Sequence, residues 1–81
     1  MRVLGIDPGL TRCGVAVIDG TPGRPVQAHH VGVITTPADS ELCDRLTTIY
    51  EQLTLLIEKF SPEVIAIERV FSQQNVRSAM S

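Results

Sequence analysis

The chain opens with residues 1–9, MRVLGIDPG, and this stretch decides the fold class. Because successive side chains of a β-strand point to opposite faces, Leu4 and Ile6 share one face, whereas Gly5 and Asp7 share the other. Pro8 and the glycine after it end the strand, since proline cannot donate a hydrogen bond to a neighbouring strand. The stretch therefore predicts a strand over residues 2–7 with an acidic side chain at its carboxyl end.

Two further strands are predicted downstream of this opening. Residues 13–19 and 26–35 are rich in β-branched side chains, and residues 20–23, GTPG, separate them as a turn. Consecutive strands with short connections are typical of an antiparallel meander. The first third of the chain therefore predicts three antiparallel strands.

The pattern then changes to that of an amphipathic helix. Asp39 or Ser40 is a candidate N-cap, and Ser61-Pro62 is a stop signal. Residues 64–68 follow as a compact strand, and a strand after a helix normally returns parallel to a neighbour. An α/β fold is expected. The apolar stripe of the helix has steps of three and four and consists of Leu42, Leu46, Ile49, Leu53, Leu56 and Phe60.

Asp7 and Glu68 stand out because each ends an apolar strand. Glu68 shares its facing with Ala66, as Asp7 does with Gly5. If the two strands are parallel neighbours, their backbones lie about 4.8 Å apart, and both acids emerge on the same face and at the same edge of the sheet. Two carboxylates repel each other unless a cation lies between them, and hard oxygen ligands suit Mg²⁺. The alternatives are a turn-forming Asp before Pro-Gly and a solvated Glu paired with Arg69.

Composition limits the other classes of site and partner. The 9 acidic and 7 basic residues give a net charge of -2, which argues against a basic module that coats nucleic acid. If Asp7 and Glu68 bind metal, the 7 acids that remain of the 9 balance the 7 basic residues, so charge alone leaves the partners open. Cys13 and Cys43 lack close partners, so we expect two buried thiols in a reducing compartment. His29 and His30 point to opposite faces of a strand and are not expected to share a metal ion.

Length and hydropathy predict a single cytoplasmic domain. The 81 residues suffice for one small domain, and the apolar runs are too short for a signal sequence or a membrane span. We therefore expect a soluble cytoplasmic protein that does not enter membranes.

The quoted residues resemble a known family. Residues 1–9 and 11–15 are similar to the opening of the RuvC-type Holliday junction resolvases. Residues 62–79, above all IAIERVF at 65–71, resemble the second motif of that family. The resemblance runs along the whole chain but covers about the first half of a family member. It therefore predicts that residues 1–81 are the N-terminal part of a single nuclease domain, truncated before its end.

The resemblance implies an RNase H-like fold and a homodimer that nicks two symmetric strands of a four-way junction in recombination and DNA repair. It implies Mg²⁺ as the cofactor, with Mn²⁺ as a possible substitute, and the RuvAB branch-migration complex as a partner. Asp7 would match the carboxylate shared by the metal ions, and Glu68 would match the acid that ligates one of them. The family takes further acids from a C-terminal helix, so the 81-residue chain alone is predicted to be inactive.

The resemblance also nominates DNA-binding residues after Glu68. An exposed Phe71 would stack on an unpaired base, although packing under the loop is an equally simple role for it. The candidates for phosphate contacts, each of which is otherwise an ordinary surface residue, are Arg69, Gln73, Asn75 and Arg77.

Three alternatives stay open at this point. Actin-like ATPases and sugar kinases also begin with Gly-Ile-Asp-x-Gly, but Leu10 replaces their usual hydroxyl residue, Pro8 removes a backbone N–H, and Glu68 has no role there. The YqgF family shares the fold and the first motif but lacks the IERVF segment. The third alternative is a non-catalytic fragment that persists as a dimerisation or folding unit.

Overall fold

The computed structural model describes residues 1–68 as one mixed sheet with a helix on one face. The strands are β1 (Arg2–Asp7), β2 (Arg12–Asp19), β3 (Gln27–Thr35) and β4 (Val64–Ile67), and the helix α1 (Leu42–Phe60) precedes β4. The strand order is β3-β2-β1-β4, in which β1 to β3 are antiparallel and β4 runs parallel to β1. The predicted meander, helix and parallel strand are thus confirmed.

The core lies between the sheet and α1. Its buried side chains alternate along β1 and β2, as the pleat of a strand requires, and four helix residues pack against them. This alternation confirms that Leu4 and Ile6 share the face that α1 covers. The buried members are Leu4, Cys13, Val15 and Val17, and the partly buried ones are Ile6, Ile34, Ile49, Leu53, Leu56 and Phe60.

The amphipathic stripe of α1 is only partly used. The later turns of the helix contact the core, whereas Leu42 and Leu46 near its start are 59% and 52% exposed. Cys43 lies in the same first turn and is exposed, so the prediction of two buried thiols is correct for Cys13 and wrong for Cys43. The position of the helix across the sheet, which periodicity does not specify, decides which part of the stripe is covered.

Both ends of α1 have a local explanation. The N-cap is Glu41, which makes no side-chain capping bond, so the prediction of Asp39 or Ser40 is wrong. Those residues are used in a turn in which the Ser40 N–H donates to the Pro37 carbonyl at 3.2 Å. At the other end Ser61 adopts a left-handed conformation and its N–H donates to the Ile57 carbonyl at 2.9 Å, which confirms the predicted stop.

A charged cluster joins the start of β1 to the end of α1. The Arg2 guanidinium donates to the Phe60 carbonyl at 2.9 Å and to the Asp19 carboxylate at 3.0 Å, and His29 contacts the same carboxylate. The ring of the adjacent His30 lies 5.8 Å from that of Phe60. The register of β3 against β2 shifts at this point and passes over His29, which interrupts the strict alternation on which the predicted opposite facing of the two histidines rests.

This cluster makes stability depend on acidic pH. Hydrogen bonds from Arg2, and secondarily from His29, lower the pKa of Asp19 below its usual 3.8. A lowered pKa contributes stability that is present above the usual pKa and is lost as the pH falls through the lowered one. We therefore expect Asp19→Asn to reduce the loss of stability between about pH 5 and pH 2, measured by urea unfolding. Asp39→Asn, in the exposed turn before α1, is the control and should leave that loss as in the unmodified chain.

Within residues 1–68, no helix has both the length and the apolar character that a membrane crossing requires.

Candidate active site

Asp7 and Glu68 lie next to each other at one edge of the sheet. The parallel register pairs Gly5 with Ala66 and Ile6 with Ile67, so its next pair is Asp7 with Glu68. The Glu68 N–H donates to the Ile6 carbonyl at 2.9 Å and continues the ladder to this point. The side chains of both acids are exposed. The sheet therefore brings together the two carboxylates that the sequence singled out.

Both acids belong to the face of the sheet opposite α1. An open trough of about 530 Å³ runs along this face, with Asp7 and Glu68 at one end and a floor of small residues that includes Gly5, Ala16 and Ala66. A substrate or metal ion thus reaches the two carboxylates without displacing the helix.

Gly14 leaves room for the Asp7 side chain. It pairs with Asp7 across β1 and β2, and a Cβ at this position would lie 3.4 Å from the Asp7 Cβ and 4.0 Å from its Oδ2. Larger side chains would extend into the space of the carboxylate. The signal for this role is a glycine inside a strand, which often marks a close approach.

Asp7 destabilises the charged form of Glu68 in the absence of a cation. The pKa of Glu68 is raised above its usual 4.5, first because protonated Glu68 can donate a hydrogen bond to Asp7, and further because of charge repulsion and loss of hydration. A divalent cation would relieve this repulsion, and the two acids supply the hard oxygen donors that such cations prefer. Among residues 1–68 no group of three or more potential ligands is found, so the pair is an incomplete ligand set.

The repulsion predicts an effect on stability. A raised pKa means that Glu68 contributes stability that is present below its usual 4.5 and is lost as the pH rises through the raised value. Asp7→Asn removes the repelling charge, so it should lower the pKa of Glu68 and stabilise the metal-free chain at neutral pH. NMR titration of the Glu68 carboxyl carbon and urea unfolding measure the two effects.

Asp39→Asn is the matched control for this variant, because it makes the same chemical change in an exposed turn. It should alter neither the Glu68 titration nor the neutral-pH stability to a comparable extent. A metal-free Asp7→Asn chain that is less stable than the unmodified chain at neutral pH would contradict the repulsion.

Residues 8–11 connect Asp7 to β2, and sequence reasoning missed what holds them. A Cβ on Gly9 would lie 2.1 Å from the Arg12 carbonyl oxygen, so this tight turn requires glycine. The Thr36 hydroxyl donates to the Leu10 carbonyl at 2.6 Å, and the Arg45 guanidinium bonds the hydroxyls of Thr36 and Thr11. These partners are distant in sequence, and only the buried polar position of Thr36, which is 4% exposed, marks them once the fold is known.

The remaining site predictions cannot be placed. The nominated DNA-binding residues, Arg69, Phe71, Gln73, Asn75 and Arg77, lie outside the described residues.

Comparison with known proteins assigns the family. Residues 3–81 match the model of the crossover junction endodeoxyribonuclease RuvC. The chain belongs to the RuvC family. Over 80 residues it is 55% identical to the RuvC of Streptomyces avermitilis and 60% identical to that of Rhodococcus jostii. These alignments include 99% of the chain but 46% and 42% of the two relatives, so it spans less than half of their length.

Solved structures of RuvC share the fold. The T. thermophilus RuvC in complex with a Holliday junction substrate matches 96% of the chain and 48% of its own length, with a TM-score of 0.82 and 26% identity. Another Thermus thermophilus RuvC structure matches 88% of the chain and 44% of its own length, with a TM-score of 0.80 and 30% identity. The RNase H-like fold expected from the sequence is thereby confirmed, and the RuvC interpretation is favoured over the kinase and YqgF alternatives.

Proposed function

We propose that this chain supplies the metal-binding carboxylates Asp7 and Glu68 to a crossover junction endodeoxyribonuclease that nicks four-way junction DNA in recombination and repair. The single observation that carries the proposal is the parallel register of β1 and β4, which continues to an Asp7–Glu68 pair on the open face of a RuvC-type sheet. The junction substrate bound to the T. thermophilus relative supports the choice of DNA.

The donor chemistry favours Mg²⁺, with Mn²⁺ as a substitute. Both ligands are carboxylates, and their exposure leaves space for the water molecules that Mg²⁺ retains in its octahedral shell. When bound, such ions lower the pKa of a water molecule and neutralise charge on the phosphate during hydrolysis.

Asp7 and Glu68 have different roles in this proposal. By family resemblance, Asp7 would be the carboxylate shared by the metal ions, and it lies between Gly14 of β2 and Glu68 after β4. By the same resemblance Glu68 would ligate one ion, and relief of the repulsion from Asp7 would further favour its charged form. By family resemblance the remaining acids come from a C-terminal helix beyond the segment that this chain matches, so we expect the 81 residues alone not to cleave DNA.

The other assignments rest on family resemblance. Phe71 stacks on an unpaired base at the junction centre, and a homodimer places two sites on the two symmetric strands. The RuvAB branch-migration complex is the partner, and the cytoplasm is the compartment. The proposed phosphate contacts are Arg69, Gln73, Asn75 and Arg77.

A chimera tests the function directly. The 80 residues of the Streptomyces avermitilis RuvC that align with this chain are replaced by the corresponding residues of this chain, at 55% identity. We expect the purified chimera to nick symmetric strands of a synthetic four-way junction with Mg²⁺ or Mn²⁺, and to be inactive in a chelator. The 81-residue chain, tested in parallel, should not nick it.

Four results would contradict parts of this proposal. A folded chimera that leaves the junction intact would overturn the nuclease function. Nicking of linear duplex at the same rate would overturn the junction specificity. Nicking in a chelator would overturn the metal requirement, and cleavage by the 81-residue chain would show that further ligands are unnecessary.

A further inference from the structure

The turn that follows Asp7 is tied to α1 by a set of side-chain hydrogen bonds. Arg45 Nε donates to the Thr36 hydroxyl at 2.9 Å, and Arg45 Nη2 donates to the Thr11 hydroxyl at 2.7 Å. The Thr36 hydroxyl in turn donates a hydrogen bond to the Leu10 carbonyl at 2.6 Å. The Thr36 N–H donates to the Thr11 carbonyl at 3.1 Å. Thr11 and Leu10 are thus held from both the backbone and the side chains.

The geometry of Arg45 makes this arrangement specific. The Thr36 hydroxyl has one hydrogen, which goes to the Leu10 carbonyl, so it must accept a hydrogen bond from Arg45. The planar guanidinium reaches two hydroxyls at once because its donors lie in a fixed fork. A lysine ammonium is a single point of charge on a flexible stem and does not reproduce both directions.

A shift of this turn would be transmitted to Asp7. Pro8 follows Asp7 directly, fixes its own φ, and restricts Asp7 to extended geometry. Gly9 packs directly against the Arg12 carbonyl, where a Cβ would lie 2.1 Å from the oxygen, so the turn is in close backbone contact with the start of β2. Movement of residues 10 and 11 would therefore change the direction of the last residue of β1.

We propose that Arg45 is a positioning residue for the metal site: through Thr36 and Thr11 it holds the turn 8–11 and thereby orients the Asp7 carboxylate. This inference rests on the proposed function, because it takes Asp7 to be a metal ligand. Arg45 itself need not contact metal or DNA. Loss of a group that hydrogen-bonds a metal ligand directly costs about 10–100-fold in metal affinity or activity, and Arg45, which acts through the turn, is expected at the low end of that range.

The direction of the change in metal affinity distinguishes a positioning role of Arg45 from a simple effect of its charge. Removing a cation near an acidic site strengthens divalent-cation binding on electrostatic grounds alone. Loss of the correct orientation of the Asp7 carboxylate would instead weaken divalent-cation binding. We therefore expect Arg45→Gln to weaken Mn²⁺ binding by the 81-residue chain about 10-fold, measured by electron paramagnetic resonance of free Mn²⁺. Arg24→Gln removes the same charge in an exposed loop and should change the affinity less than about twofold.

Further variants keep the test valid if Arg45→Gln weakens the fold. Far-UV circular dichroism establishes that each titrated chain is folded. Thr11→Val removes only the Nη2 bond and should act in the same direction, and Arg45→Gln in the Thr11→Val background should add less than it does alone. Arg45→Lys retains the charge and should not restore full affinity.

The chimera separates failure of this inference from failure of the proposed function. There, Arg45→Gln should lower kcat for nicking about 10-fold and leave KM within about twofold. An active chimera whose Arg45→Gln variant keeps its kcat, or a variant chain that binds Mn²⁺ as tightly as the unmodified one, would overturn the positioning role alone. An unmodified chimera without activity would overturn the proposed function, and the positioning role with it.

Discussion

Asp7→Asn in the chimera is expected to lower the rate of metal-dependent junction nicking at least about 100-fold. Loss of a group that merely supports a metal ligand already lowers affinity or activity about 10–100-fold, and Asp7 is itself a proposed ligand. Asn keeps the size of Asp but carries no charge, and its amide group presents one oxygen to a metal ion. In the proposed site Asp7 is shared by the metal ions, so this one substitution weakens the binding of each ion. The nicking rate is measured at saturating junction DNA over a range of Mg²⁺ concentrations.

The stability of the variant makes this prediction sharper. The same substitution should stabilise the metal-free 81-residue chain at neutral pH, because it removes the carboxylate whose hydrogen bond and charge repulsion raise the pKa of Glu68. Lost activity with retained or increased stability identifies Asp7 as a functional group, whereas unfolding would lower both. Asp39→Asn in the same chimera should nick at the unmodified rate. Asp7→Asn nicking at that rate would refute the metal role of Asp7.

Leu4→Ala should destabilise the 81-residue chain by about 2–5 kcal/mol, the usual cost of truncating a buried leucine. Leu4 is 0% exposed and belongs to a core with only four buried hydrophobic side chains among the described residues. A core with so few buried side chains has few neighbours that can shift to fill the cavity left by the truncated Leu4. Because small domains are marginally stable, a loss of this size is a large share of the total. Urea unfolding monitored by circular dichroism measures it.

Leu55→Ala is the control for the core prediction. Leu55 lies on α1 and is 56% exposed, and alanine is the better helix former, so the change should stay within about 0.5 kcal/mol. The slope of unfolding free energy against urea concentration should be unchanged in both variants. Equal losses from Leu4→Ala and Leu55→Ala would show that the sheet and α1 do not form the packed core described above.

Local sequence patterns predicted much of the architecture and the central pair of the site, Asp7 and Glu68. Strand alternation placed Leu4 and Asp7 on opposite faces, and the same parity argument for Glu68 anticipated the register that joins it to Asp7. Such predictions succeed because the period of a strand depends on its own backbone, and a parallel neighbour preserves the facing of paired residues. The stop of α1 at Ser61 is equally local, since proline follows it.

The predictions that were wrong depended on where elements lie in space. Ser40 was a reasonable cap, but it belongs to a turn closed by Pro37 and leaves Glu41 at the start of the helix. Cys43 and Leu46 have the expected helical spacing, yet α1 crosses the sheet so that its later turns cover the core. Periodicity identifies the apolar stripe of a helix and does not specify how much of that stripe finds a partner.

Asp7 therefore has two kinds of determinant. Local sequence pattern is sufficient to predict that an acid ends β1, that Pro8 and Gly9 turn the chain after it, and that Glu68 faces the same side of the sheet as Asp7. What holds the turn depends on long-range packing. The bond from Thr36 to Leu10 joins residues that are 26 positions apart in the sequence, and the bond from Arg45 to Thr11 joins residues that are 34 positions apart. No local pattern encodes such contacts, which exist only once β3 and α1 have packed beside the first hairpin.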